Sequence, residues 1–221
     1  MNFSTDKAYG GSSGFCTGST FKLFTLTDWL QNGHGLNEYV NGSVRTFQQN
    51  SFRASCSKPF VGNYCPQNSS RHEGGYMSVL TATEDSVNAA FMTMAQQLDL
   101  SDIRDDATAM GVHRADGNPL GVRPSSVLGT NEIAPLSMAG AIATIGAGGI
   151  FCTPVIIDSI IDSIIGRDAK TLPGQGRTCN EAISPRVANT VAYALAAVMT
   201  AGTGTHGNPR DGVPVVGETG T

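Results

Sequence analysis

From Ser19 to Gln31 the chain is apolar at Phe21, Leu23, Phe24, Leu26, Trp29 and Leu30. On a helical wheel those positions fall on every side, which predicts a buried helix, with Gly33 ending it. From Gly35 to Tyr76 the pattern dissolves into polar and small residues, a loop-rich insertion over 35–76 within a single domain over 1–221. A second helix is predicted from near Thr83. Glu84 and Asp85 suit the positive end of its dipole, and Val87, Phe91, Met94 and Leu98 form its apolar face. Ser101 is placed to cap a short helix running to about Met110, and another helix follows Pro135. "IFCTPVIIDSIID" has strand-like content. Ser184-Pro185 is a strong helix start that leads Val187, Val191, Leu195 and Val198 along one face until Gly202. "VPVVGETGT" predicts a final strand. The pattern as a whole describes a helix-rich α+β fold with one or two sheet strands.

Composition narrows the classes. The 221 residues are 40% hydrophobic, enough for one domain with a real core. With 14 Lys+Arg against 18 Asp+Glu and no basic stripe, nucleic acid is not the expected partner. The amino terminus shows no apolar signal segment, and the most apolar region, Ile133 to Ile165, is broken by prolines, aspartates and glycines. No transmembrane segment is expected. Of five cysteines, Cys56 and Cys65 lie close together, and Cys152 and Cys179 flank strand-like segments and a turn. Pairs 56–65 and 152–179 compete with reduced thiols, and neither spacing is that of a zinc site.

The candidate chemistry starts at Ser19 and Lys22, three residues apart and so on one helical face. Ser19 falls in the first turn, where free amides and the dipole favour developing negative charge. Lys22 is enclosed by apolar neighbours, and a desolvated lysine sheds its proton more readily and can deprotonate a serine. The competing reading has Ser19 as a cap and Lys22 snorkelling to the surface. Ser86 and Asn88 form an S-x-N, able to relay a proton and bind an amide, or simply to cap a helix. Thr219-Gly220 follows "VPVV", where a glycine lets another backbone approach.

S-x-x-K, S-x-N and x-T-G in that order form a set shared by penicillin-binding proteins and class A β-lactamases. "GSTFKLFTLTDWL", "LTATEDSVNAAF", "PSSVLGTNEIAPLSMAGAIATIGAGGIFCTP" and "ISPRVANTVAYAL" extend the likeness over most of the chain. The chain resembles the transpeptidase domain of actinobacterial bifunctional (class A) penicillin-binding proteins. That resemblance implies the helix-rich part of the serine β-lactamase/penicillin-binding fold, with an incomplete antiparallel sheet. It implies Ser19 as acylated nucleophile, Lys22 as its base, and Ser86 and Asn88 as proton shuttle and amide holder. Residues 218–221 (Glu218, Thr219, Gly220, Thr221) would bind substrate, with the amides of Ser19 and Thr221 forming the oxyanion hole. The implied partners are a peptidoglycan stem peptide ending in D-Ala-D-Ala and β-lactam antibiotics. The implied setting is the extracytoplasmic face of the bacterial plasma membrane, and no cofactor or metal is needed. An extracytoplasmic setting also favours both disulfide pairs.

Two departures stand out. The third motif has Glu218 where the family has lysine, reversing the sign of the charge that meets a substrate carboxylate. At ~4 Å a unit pair is worth about 1 kcal/mol in water and about 4 at a surface-like dielectric, so the reversal is expected to weaken binding and to hold a proton on Lys22. Only 18 residues precede Ser19 and the chain stops on the third-motif strand, from which a fragment with impaired cross-linking activity is expected. A β-lactam hydrolase on the same fold needs a base for its deacylating water. Glu132 and Glu181 lie in the right interval but match no such motif. "GTGTHG" satisfies G-x-G-x-x-G literally but follows a helix and opens a turn, so it reads as the approach to the third motif. His34, His72, His113 and His206 lack ligand spacing, the Asp102, Asp105, Asp106 cluster reads as a solvated face, and Trp29 reads as core.

Overall fold

A computed structural model describes residues 1–69, 74–155, 160–162, 170–172 and 178–220. The chain opens with α1 (Lys7–Gly10) and β1 (Phe15–Cys16), and a 3-10 turn over Gly18–Phe21 leads straight into α2 (Lys22–Gln31). β2 (Tyr39–Asn41), β3 (Phe47–Gln48), β4 (Asn63–Tyr64) and β5 (Tyr76–Ser78) follow, then α3 (Val79–Glu84), α4 (Asn88–Ala95) and α5 (Leu100–Ala109). Beyond a further 3-10 turn, Pro124–Leu128, come β6 (Glu132–Ile133), α6 (Pro135–Gly146) and β7 (Ile150–Cys152). β8 (Ile160–Asp162), β9 (Lys170–Leu172), β10 (Cys179–Glu181) and α7 (Pro185–Thr200) complete the regular elements that bear on the site.

α2 is the hub. It packs against α4, α5 and α7, and Phe24, Leu26 and Trp29 are buried on its different sides, as a helix apolar all round requires. Trp29 is core: its indole donates to the Gly35 carbonyl at 3.2 Å and its ring stacks on His34. α6 starts at Pro135 and α7 at Pro185. The Ser184 hydroxyl accepts from the Val187 amide, and Val187, Val191, Leu195 and Val198 are buried along one face.

Elsewhere the expected elements are corrected. The helix placed from Thr83 is two helices. α3 begins at Val79, capped by Ser78, and ends at Glu84, so Glu84 and Asp85 sit at a carboxyl end rather than an amino end. The chain turns at Ser86, whose φ is 52°, and restarts as α4 at Asn88. Because the apolar spacing of Val87, Phe91 and Met94 is continuous, periodicity gives no sign of the break. The cap of α5 is Asp99, which accepts from the Ser101 amide, so Ser101 lies inside the helix.

Strands are more numerous and shorter than the pattern suggests. The described residues form five two-stranded antiparallel ladders: β1 with β6, β2 with β5, β3 with β4, β7 with β10 and β8 with β9. The 35–76 segment thus contributes β2, β3 and β4 and the start of β5. In the strand-like run after Gly149, residues 156–159 fall outside those described. Cys152 and Cys179 face each other across β7 and β10 and are disulfide-bonded. Cys56 and Cys65 are not bonded to each other, contrary to expectation. The Cys56 thiol accepts from Ser101 Oγ at 2.8 Å and its amide donates to the same hydroxyl, tying it to α5, while Cys65 follows β4. The expected final strand is not formed among the described residues either. Residues 214–220 have no ladder partner among the described residues, and a strand exists only where another supplies its hydrogen bonds.

Candidate active site

The head of α2 is built by two glycines. Gly18 has φ 57° and Gly129 φ 81°, both in the left-handed region that favours glycine. A Cβ on Gly129 would run into the Gly18 backbone, and the Gly18 amide donates to the Gly129 carbonyl at 3.2 Å. This contact fixes the turn that carries Ser19, which is half-buried at the entrance to the helix. Lys22, one turn on, is 1% exposed, with Nζ 5.4 Å from the centre of the Phe91 ring.

Lys22 does not snorkel. Its Nζ donates to the Ser86 carbonyl at 2.5 Å and to Ser86 Oγ at 3.0 Å. Among the described residues no hydrogen bond joins it to the Ser19 hydroxyl. Ser86 can take this position because the α3–α4 turn places it at positive φ, rare for a residue with a side chain and worth roughly 1–3 kcal/mol of strain. The turn is held by Ser86 N–H to the Thr83 carbonyl and Val87 N–H to the Ala82 carbonyl. The turn therefore delivers both a backbone oxygen and a hydroxyl to one buried lysine.

The third motif closes on the same point. Ser86 Oγ donates to Glu218 Oε1 at 2.7 Å, so Lys22, Ser86 and Glu218 form a continuous chain of hydrogen bonds. Burial pushes the Glu218 carboxyl up to about 7, more than the Ser86 hydrogen bond and the Lys22 charge pull it down. The hydroxyls of Thr219 and Thr203 lie 2.9 Å apart. Thr203 belongs to the "GTGTHG" loop, which is tied to α3 through its amide bond to the Glu84 carbonyl. A Cβ on Gly220 would lie 3.1 Å from the Thr17 carbonyl oxygen and 3.3 Å from Thr20 Cγ2, so the motif's glycine rests against the turn bearing Ser19. Thr221 falls outside the described residues.

Asn88 is not drawn into this chain. Its amide donates to the Gln67 carbonyl at 2.7 Å, while Asn68 Oδ1 accepts from the Ala89 amide, so the 35–76 segment lies over the head of α4. Glu132 and Glu181 are elsewhere. Glu132, on β6, is 3.6 Å from Arg114, and Glu181 is exposed on β10. The carboxylate beside the second motif is Glu218. Sequence reasoning passed over Gly18, Gly129 and Thr203. The double glycine contact has no local signature, whereas Thr203 lies in a glycine-rich run already assigned to the third motif's approach.

The other polar groups follow expectation at the histidines and depart from it on α5. His34 and His113 are hydrogen-bonded, to Glu38 and Asp6 respectively, and His72 lies outside the described residues. The acidic cluster on α5 is only partly solvated. Asp106 is half-buried, accepts both its hydrogen bonds from Gln31 Nε2, and has its carboxyl pushed up to about 6 by burial. Among the described residues no group of three or more His, Cys, Asp or Glu side chains is placed to hold a metal ion, and no helix is long and apolar enough to cross a membrane.

Three motifs converging on the head of a buried helix, in a helix-rich α+β fold, form the arrangement of the penicillin-recognising serine proteins. Residues 7–221 match the penicillin binding protein transpeptidase domain, and the chain belongs to that family. It is 25% identical over 205 residues to penicillin-binding protein 1A of Neisseria lactamica, covering 92% of this chain and 24% of that protein. It is 27% identical over 177 residues to penicillin-binding protein 1A of Mycolicibacterium smegmatis, covering 70% of this chain and 21% of that one. The chain thus spans about a quarter or less of the length of these relatives. The fold also matches penicillin-binding protein A from M. tuberculosis, solved as a ceftriaxone acyl-enzyme complex. There the TM-score is 0.73 at 21% identity, covering 95% of this chain and 48% of that one.

Proposed function

We propose that this domain is a penicillin-binding serine D,D-transpeptidase that cross-links peptidoglycan stem peptides through an acyl-Ser19 intermediate, at the extracytoplasmic face of the plasma membrane. The observation that carries the reading is the burial of Lys22 one turn beyond Ser19, with its Nζ bonded to the second-motif serine. In this mechanism Ser19 Oγ attacks the carbonyl carbon of the penultimate D-Ala while its proton passes to Lys22. The C–N bond to the terminal D-Ala breaks, and the departing amine takes a proton relayed through Ser86. An acceptor amine from a second stem peptide then displaces Ser19 and forms the cross-link. The Ser19 and Thr221 amides act as oxyanion donors, each worth roughly 3–4 kcal/mol. A β-lactam follows the first half of this course and stays on Ser19, as ceftriaxone does on the M. tuberculosis relative.

Glu218 sets the weakness of the site. The ammonium charge with which the family meets the substrate's carboxylate is missing here, and whenever Glu218 is ionised it adds repulsion, for a penalty of up to a few kcal/mol in binding. Slow, stoichiometric acylation is therefore expected. The same residue supports a second reading, a non-catalytic remnant that binds peptide or β-lactam without bond formation. Intact-protein mass spectrometry after incubation with benzylpenicillin separates them. One penicilloyl adduct that accumulates slowly and is missing in Ser19→Ala supports the transpeptidase. A folded protein with no adduct supports the remnant, and antibiotic consumed with turnover would indicate a hydrolase.

A further inference from the structure

Acylation through Lys22 requires an amine free of its extra proton, and the lysine is sealed from water. We propose that Lys22, Ser86 and Glu218 form a proton wire in which Glu218 takes up the proton that Lys22 must shed before it can act as a base. The proposal rests on the reading of Lys22 as the base for Ser19 and deepens it.

The step balances within three side chains. A Lys22 N–H bond breaks as Ser86 Oγ gains that proton, and the original Ser86 O–H bond breaks as Glu218 Oε1 gains the second. An ammonium and a carboxylate become an amine and a carboxylic acid, and no proton is exchanged with solvent. Both transfers follow existing hydrogen bonds, 3.0 Å from Lys22 Nζ to Ser86 Oγ and 2.7 Å from Ser86 Oγ to Glu218 Oε1. Each bond already points the right way, with lysine donating to serine and serine to carboxylate.

The surroundings favour the neutral pair. Lys22 is 1% exposed and Ser86 5%, so an ion pair there keeps little hydration, while two neutral groups lose little by burial. The upward displacement of the Glu218 carboxyl has the same origin. The groups facing Glu218 are Lys22 from the head of α2 and Ser86 from the α3–α4 turn, so among the described residues one cation bears on its charge. Glu218 is therefore more than a misplaced charge. Acting across space alone, its carboxylate would hold the proton on Lys22. Connected through a hydroxyl, it becomes the place that proton goes. A lysine at this position could not accept it.

Glu218→Gln separates the two roles, because glutamine fills the same space and still accepts from Ser86 but cannot take a proton. The rate of Ser19 acylation by benzylpenicillin is measured for both proteins from about pH 6 to 9, bracketing the ordinary ranges of acid and amine. The wire predicts a broad plateau for wild type around neutral pH. It predicts a Gln variant at least roughly tenfold slower at pH 7, with a rate that climbs about tenfold per pH unit as Lys22 loses its proton to solvent instead. A variant that is equal to or faster than wild type at pH 7 overturns the proposal. Infrared difference spectra between the two proteins give a second reading independent of acylation. A carboxylic-acid C=O band at neutral pH in wild type alone supports the wire, and its absence overturns it. If wild type forms no adduct that Ser19→Ala abolishes, the acylation reading fails, and the infrared band then decides the protonation of Glu218 by itself.

Discussion

Asp28 sits in the middle of α2 with 3% of its surface exposed. Its Oδ1 accepts from the Asn32 side-chain amide at 2.9 Å, and its Oδ2 is buried with no hydrogen-bond partner among the described residues. An ionised carboxylate is costly there, first because of burial and then because Asp106 and Asp102 of α5 face it; together these push its carboxyl from 3.8 up to about 7. The folded state therefore binds a proton that the unfolded chain has already lost across that range. The sign follows directly: the stabilisation is fully present below about pH 4, declines as pH rises, and is gone above about pH 7. At about 1.4 kcal/mol per pH unit the displacement corresponds to about 4 kcal/mol. Asp28→Asn keeps the shape and the Asn32 contact and removes the titration. Urea unfolding followed by circular dichroism, repeated between about pH 4 and 8, should show the variant close to wild type at the acid end and more stable by up to about 4 kcal/mol at the alkaline end. A stability difference that stays constant with pH would refute the argument, since burial of an ionising group cannot give a pH-independent effect.

Other outcomes follow from the same geometry. Gly129→Ala should lower stability by roughly 1–3 kcal/mol in a thermal melt and slow Ser19 acylation, because a Cβ there meets the Gly18 backbone. An unchanged melting temperature would show that the contact does not hold the turn. Thiol titration of the native protein without reductant should count three reactive cysteines, the exposed Cys16, Cys56 and Cys65. A count of one would restore the pairing of Cys56 with Cys65.

The helices that carry the site were legible because their signals are local. Six apolar residues within a short span announce a buried α2, and Ser184-Pro185 marks the start of α7. The break at Ser86 was not, because a left-handed residue leaves the apolar spacing of Val87, Phe91 and Met94 intact. The final segment "VPVV" has strand composition but no ladder partner among the described residues, and pairing is a property of two segments. Cys56 and Cys65 are close in sequence, yet Ser101 holds one of them to α5. At the site, the motifs named Lys22, Ser86 and Glu218 individually. That the serine stands between the other two, donating to one and accepting from the other, depends on a turn 64 residues from the lysine and a segment 132 residues from the serine. Asp28 is the one acid amid the apolar residues of α2, which is the kind of position where burial raises a carboxyl.

The proposed reaction acylates Ser19 Oγ, at a site completed by Lys22, Ser86 and the third motif. Tryptic digestion of the benzylpenicillin-treated protein, followed by peptide mass mapping, tests it directly. The penicilloyl mass is expected on the peptide Ala8–Lys22, assigned by fragmentation to Ser19. The same mass on the peptide containing Ser86, or on no peptide of a protein shown to be folded, would contradict it.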